Sequence, residues 1–294
     1  MELHLETLNT TPIDSATLVL LRDSPQGLQV LLLQRHTASR ELGGAYVFAG
    51  GKLDPLDQHP DTLGRLNSPL TQPHQRLGEE ALPLHTAGGL YVAAIREAWE
   101  ESGILFASPD PQDLPSDLPS GVAGWARLQT LGHPLDGRAL QPWTRWVTPR
   151  QASIVQKRFD TRFFVARAPA GQEALHDNHE TTASVWLTPA QALQQYWVRE
   201  IEMAPPQIMS LVALHRHATV DSVLQEAASR RPPLIQPEPF DENGVRTICY
   251  PGDPRHSQTT RVIPGPTRLH FVAGRFEPVN GALEALLGSD GHCH

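Results

Sequence analysis

The stretch Ala93–Phe106, AAIREAWEESGILF, constrains this chain more than any other. From Tyr91 to Glu101 the spacing predicts a helix, and Gly103 stops it as a C-terminal cap. At 100° per residue Glu97 and Glu101 lie about 40° apart, and Glu100 falls about 60° to the other side of Glu97. All three carboxylates therefore leave one face. Like charges at these spacings repel by roughly 0.2–0.5 kcal/mol per exposed pair, and the end of a helix disfavours anions. Arg96, four residues before Glu100, is the only cation nearby. A bound divalent cation reverses both penalties, because carboxylate oxygens at helical spacing suit Mg²⁺ or Mn²⁺. An isolated ExxEE is most often a plain solvated face. Here Ala93, Ala94 and Ala98 flank the stripe, so the helix is expected to pack closely, and Gly103 sets the carboxylates next to a loop.

Composition narrows the function classes. The 294 residues suffice for one large domain or two small ones. With 24 Lys+Arg against 32 Asp+Glu the net charge is −8, which argues against a general nucleic-acid or membrane-surface binder. A homodimer is left open. Two cysteines, Cys249 and Cys293, make no disulfide framework, so a reducing, cytoplasmic setting is the simplest reading. No signal pattern opens the chain, and no apolar run approaches the roughly 20 residues of a membrane helix; a soluble protein is expected. The 27 prolines, about twice the usual share, predict long irregular segments.

Along the chain, SATLVLLRD and GLQVLLLQRH flank SPQG and read as a hairpin. AYVFAGGKLD reads as a short strand entering a glycine pair. Residues 58–89 are polar and rich in Pro and Gly, and read as an insertion with one short helix near 74–82. GVAGWARLQTLG fits helix or strand. LQPWTRWVTP, KRFDTRFFVARAP and TTASVWLTP read as strands. A helix is expected from Thr188 as cap with Pro189 in the first turn, and another from Pro206 to about Ser229. Residues 232–280 look β-like, and strands interleaved with a few helices indicate a mixed α/β or α+β domain.

These residues carry a resemblance. REAWEESGI resembles the second half of the Nudix box, Gx5Ex7REUxEExGU with U aliphatic: Arg96, Glu97, Glu100, Glu101, Gly103 and Ile104 match, and Ala98 is smaller than usual. FAGGKLDPLD resembles the first half, with Gly51 opening it and Asp57 where the family has Glu. Between Asp57 and Arg96 stand 38 residues (58 to 95) against seven in the pattern, an excess of 31. Loop closure costs only about 0.6 kcal/mol per doubling of length, so an insertion is tolerable, and the pair Gly88–Gly89 is expected to precede the resumed helix. An insertion at this point resembles the coenzyme A diphosphatases of peroxisomal type and their bacterial relatives. GGAYVFAGGKLDPLD (with Ala49 for a proline), RWVTP…RFDTRFF, ASVWLTPAQAL, APPQIMSLVAL and CYPGD agree with that branch. The resemblance covers most of residues 14–255.

It implies an α/β/α sandwich with a mixed sheet. Residues 1–231 would be the Nudix domain, interrupted at 58–89, and 232–294 an extension packed on it. It also implies hydrolysis of a nucleoside-linked diphosphate with Mg²⁺ or Mn²⁺, coenzyme A or an acyl derivative first. Glu97, Glu100 and Glu101 are the candidate metal ligands, joined by the Gly50 carbonyl, with Arg96 orienting the carboxylates. Glu180 and Glu97 compete as general base. Gly51, Arg35, Arg40 and Arg158 are the candidate substrate-binding residues, with Arg162 a further one for a 3′-phosphate. Trp143, Trp146, Trp186, Phe159 and Phe163 could stack on adenine, though strand spacing assigns most to the core. The terminal His292, Cys293 and His294 read as a plain chain end. Two other readings keep the same fold: a pyrophosphatase for ADP-ribose, a dinucleotide or a sugar nucleotide, and a ligand sensor without turnover. A sensor has no need of so costly a carboxylate stripe.

Overall fold

Residues 15–21 are buried without interruption, and a strand with no polar side must be covered on both faces. In the computed structural model, which describes residues 7–39, 42–107, 118–119, 121–151, 157–175, 181–279 and 281–288, this strand lies inside the sheet. β1 (Ile13–Ser24) and β2 (Gly27–Arg35) form the expected hairpin, closed by Gly27 at φ +104°. β3 (Tyr46–Val47) pairs with β2 and β4 (Ala49–Lys52) with β1, so the single expected strand is split at Phe48. The split turns Phe48 to the opposite core from Val47 and Ala49.

The insertion carries two short helices, α1 (Pro60–Leu63) and α2 (Thr71–Leu77), rather than one at 74–82, because Gly78 ends α2 in the left-handed conformation. α3 then runs over Leu84–Ser102 and is capped by Gly103 at φ +69° as expected. It begins seven residues earlier than the sequence spacing predicts. Gly88 and Gly89 lie inside the helix and do not punctuate it. A Cβ on Gly88 would stand 2.6 Å from Leu70 Cδ2, and one on Gly89 2.6 Å from Gln58 Cγ, so both glycines permit close packing against the insertion.

α4 (Gly121–Leu131) resolves the open choice as a helix. β5 (Gln141–Val147) and β6 (Phe159–Arg167) follow, then β7 (Thr181–Leu187). α5 (Pro189–Trp197) starts with a capping box between Thr188 and Gln191. The expected long helix is two: α6 (Pro205–Leu214) and α7 (Val220–Ser229), interrupted at 215–219. Thr219 starts the second by accepting the Ser222 N–H at 3.3 Å. β8 (Leu234–Ile235) returns to the main sheet beside β5. β9 (Glu238–Glu242), β10 (Val245–Cys249), β11 (Arg268–Val272) and β12 (Arg275–Pro278) form a separate antiparallel sheet, and α8 (Glu284–Leu287) follows.

The main sheet is mixed, in the order β3-β2-β1-β6-β5-β8, with β1 and β6 parallel and β4 and β7 added to β1 and β2. Alternate residues feed two cores. Val19, Leu21, Val30, Leu32, Phe163 and Val165 meet α5, α6 and α7 on one face. Leu18, Leu20, Leu31, Leu33 and Phe164 meet α3 and α4 on the other. This is the α/β/α sandwich. Residues of the C-terminal sheet, Ile248, Leu269 and Phe276, belong to the first core. The Tyr196 hydroxyl ties α5 to β12 by donating to the Phe276 carbonyl at 2.7 Å. The PGD triplet is a structural anchor: Asp253 accepts a fork from Arg268 (2.8 and 2.7 Å) and the Thr267 hydroxyl at 2.8 Å. Among the described residues no helix is long and apolar enough to cross a membrane.

The close fit of α3 to the insertion is testable. Gly88→Val forces a branched side chain between Leu63 and Leu70, and we expect about 1–3 kcal/mol lower stability in urea unfolding, with the far-UV spectrum unchanged.

Candidate active site

The last turns of α3 meet β4 at glycine. A Cβ on Gly50 would stand 2.6 Å from the Ala16 carbonyl oxygen and from Thr17 Oγ1, and one on Gly51 would collide with the Glu97 carboxylate. Only glycine lets the strand pass this close to a helix that carries glutamates. Glu101 is then fixed from both ends. The Gly50 N–H donates to its Oε2 at 3.0 Å, and Thr181 Oγ1, at the start of β7, donates to its carbonyl at 3.1 Å. Glu97 and Glu101 are both buried.

Arg96 is the hub. Its Nε and Nη2 form a fork on the two oxygens of Asp57 at 2.9 and 3.0 Å, and Nη2 also donates to the Lys52 carbonyl at 2.9 Å. Nη1 stands between Glu97 Oε1 at 2.8 Å and Glu100 Oε2 at 3.0 Å. Asp57 is fully closed to solvent, and its Oδ2 accepts the Asp54 N–H at 2.9 Å as half of a capping box. Burial pushes the Asp57 carboxyl up, against the pull of its bonds to Arg96. Burial also opposes the Arg96 charge, but Asp57, Glu97 and Glu100 together outweigh it and hold the guanidinium above its ordinary value.

Glu97, Glu100, Glu101, Arg96, Gly50 and Gly51 are thus brought together. Arg35, at the end of β2, is half-buried and stands opposite Thr181, the residue that holds Glu101. Its Nε is closed off without a hydrogen-bond partner. Arg40, Glu180 and the terminal His292, Cys293 and His294 lie outside the described residues. Arg158 is not available to a substrate as expected: it is buried and donates to the Thr148 and Thr10 carbonyls at 3.1 and 3.0 Å, fastening the N-terminal segment to the β5–β6 connection. Arg162 is likewise spent, on Glu79, Asp14 and Asp160. Trp143, Trp146 and Phe163 are core residues. Asp57, which stands where the family has Glu, is the residue that positions Arg96. The signal for it is the capping-box spacing Asp54-x-x-Asp57 in LDPLD. Thr181 carried no signal beyond its place at the head of a strand.

Among the described residues no three His, Cys, Asp or Glu side chains are gathered as a ready metal-binding group. The cation that draws Glu97 and Glu100 together is Arg96 Nη1. The donor chemistry nevertheless fits a hard divalent ion: three carboxylates on successive turns, beside a glycine backbone pressed against them.

Residues 11–214 match the NUDT19 Nudix domain family. The acyl-coenzyme A diphosphatase NUDT19 of Gallus gallus is 29% identical over 255 residues, which cover 70% of this chain and 66% of that protein. Its Xenopus laevis counterpart is 30% identical over 276 residues, 77% of this chain and 72% of that protein. The chain therefore spans about two thirds of the length of these curated relatives. A crystal structure of a NUDIX hydrolase from Alicyclobacillus acidocaldarius is similar at a TM-score of 0.58 and 27% identity, covering 76% of this chain and 98% of that one.

The hub yields a pH-dependent expectation. Arg96→Met leaves Asp57 buried without its cation, at a cost of about 3–5 kcal/mol at neutral pH. Its folded-state pKa then rises further above the unfolded value of about 3.9, so the variant regains stability as the pH falls and Asp57 takes up a proton. Urea unfolding at pH 7 and near pH 4.5 should show the gap to the wild type narrowing at the lower pH.

Proposed function

We propose that this chain, which belongs to the NUDT19 Nudix domain family, hydrolyses the diphosphate bond of a nucleoside-linked substrate, with coenzyme A or an acyl-coenzyme A as the preferred one. The observation that carries this reading is the carboxylate face of α3 held against Gly50 and Gly51 by Arg96 and Asp57. Glu97, Glu100 and Glu101, with the Gly50 carbonyl, would hold Mg²⁺ or Mn²⁺. When bound, such an ion neutralises diphosphate oxygens and lowers the pKa of the attacking water.

The chain's own residues do the rest. Arg96 keeps the carboxylates of Glu97 and Glu100 from swinging apart, and the Gly50 N–H does the same for Glu101. Gly51, assigned to the substrate side of the site, leaves the room beside the strand that the Glu97 carboxylate occupies. Arg35, half-buried beside Thr181, is suited to grip a phosphate, and Arg40 shares that assignment. Glu97, pressed against Gly51, is one choice for the base that takes the proton from water; Glu180 is the other. The names of the relatives support the coenzyme A assignment. A cytosolic setting belongs to the same proposal, with Cys249 a buried thiol that burial pushes up to about 11.

Turnover of a panel of diphosphates with Mg²⁺ tests this. Coenzyme A or an acyl derivative should be cleaved fastest. Glu100→Gln should lower the rate by more than about 100-fold, the upper end for losing a mere supporting contact near a metal. EDTA should abolish the activity and added Mg²⁺ restore it. Cleavage of ADP-ribose but not coenzyme A would overturn the substrate assignment; a panel with no Glu100-dependent turnover would favour a sensor.

A further inference from the structure

Period-2 alternation decides which face of the sheet each residue of β7 serves. Trp186 packs on the core beneath α3 and pairs with Leu31 of that core. Ser184, two residues earlier, pairs with Leu33 of the same core, and its hydroxyl donates to the Ala174 carbonyl at 3.4 Å. Continued without a break, the alternation would bring Thr182 to the α3 face and turn Thr181 to the opposite one. The strand breaks it. Gln34 pairs with Ala183 but Arg35 pairs with Thr181, so β7 carries one extra residue, Thr182, at this step. Such bulges re-aim side chains. Thr182 is left exposed, while Thr181 is closed to solvent on the α3 face, where its Oγ1 donates to the Glu101 carbonyl at 3.1 Å. We propose that Thr181 is a positioning residue for the metal site: it touches neither ion nor substrate, and holds the main chain of Glu101 so that the carboxylate faces the ion. This rests on the assignment of Glu101 as a metal ligand.

The main chain needs holding at this point. α3 ends at Ser102, one residue after Glu101, and Gly103 follows in the left-handed conformation. In a longer helix the Leu105 N–H would close onto the Glu101 carbonyl; here it donates to Gln172 Oε1 at 2.8 Å. Contacts from the connection between β6 and β7 hold the last turn instead. The Leu175 N–H donates to the Ser102 carbonyl and Gln172 Nε2 to the Leu105 carbonyl, both at 2.9 Å.

Helix ends fray, and Glu101 stands nearest the end of the three glutamates. Arg96 draws Glu97 and Glu100 together. Glu101 is held at its tip by the Gly50 N–H at 3.0 Å and at its root by Thr181. With the root released, the tip contact alone must fix both the last turn and the side-chain torsions. A bulge that carries a hydroxyl to this one carbonyl therefore bears on the site, although the hydroxyl itself stays behind the helix backbone.

Two measurements on the full chain test this: Mn²⁺ affinity by electron paramagnetic resonance, and hydrogen exchange of the Gly50 amide in the metal-free protein. Thr181→Val removes the hydroxyl at nearly constant shape. We expect it to weaken Mn²⁺ binding about tenfold or more and to speed Gly50 exchange several-fold, since that amide gives its proton to Glu101. Thr181→Ser keeps the hydroxyl and should stay close to the wild type in both. Thr182→Val makes the same substitution at the exposed neighbour and should change neither. Thr181→Ala carries the same expectation as Thr181→Val where the added methyl group does not fit. Wild-type affinity without the hydroxyl, weaker affinity with Gly50 exchange unchanged, or an equal loss in Thr181→Ser or Thr182→Val would overturn the proposal and leave the metal assignment standing. A wild type that binds no Mn²⁺ would overturn both.

Discussion

The fork between Arg96 and Asp57 is the contact on which the rest of the site depends. It joins residues 39 positions apart and does so with both partners almost closed to solvent. A buried charge pair is costly to desolvate and weak evidence for stability by itself. Its value here lies in direction. With two guanidinium nitrogens committed to Asp57, the third can point only between Glu97 and Glu100. Glu97 and Glu100, which would otherwise repel each other, are thereby held together at the end of the helix where the macrodipole is least favourable to them, beside a Glu101 held by the Gly50 N–H.

The residues inserted between these two pack against both the helix and the sheet. The segment from a single 3-10 turn at Pro55–Gln58 through α1 and α2 lies against the first half of α3, where Gly88 and Gly89 remove the side chains that would keep it away. Glu79, just after α2, is gripped by Arg162 and Arg145 from β6 and β5, so the insertion is fastened to the sheet as well as to the helix. Arg162 also pairs with Asp14, whose carbonyl accepts the Leu53 N–H at the end of the glycine loop. The inserted residues are therefore a continuous brace between the far sheet edge and the carboxylates.

Much of this was legible before any coordinates. Apolar runs around SPQG announced the hairpin, Gly103 the end of α3, and Thr188-Pro189 the start of α5, because each signal is local. The failures share one cause: the deciding partner is distant. Gly88 and Gly89 looked like punctuation, yet they answer to Leu70 and Gln58 across a packing interface. The break at 215–219 contains neither Gly nor Pro, and only the capping Thr219 marks it. Arg158 and Arg162 looked like ligands for a phosphate because their partners, Thr10 and Asp14, are 148 residues away in each case. A better signal was present for Arg162. Period-2 spacing places it with Phe164 and Ala166, both core residues, and so on a buried face.

The most direct test is the affinity for Mn²⁺, followed by electron paramagnetic resonance, in the wild type and in Asp57→Asn. Asp57 lies behind Arg96 and is not among the carboxylates assigned to the ion. If the fork orients the glutamates, Asp57→Asn weakens Mn²⁺ binding about 10- to 100-fold although all of those glutamates remain. Mn²⁺ affinity that is the same in both proteins would contradict it.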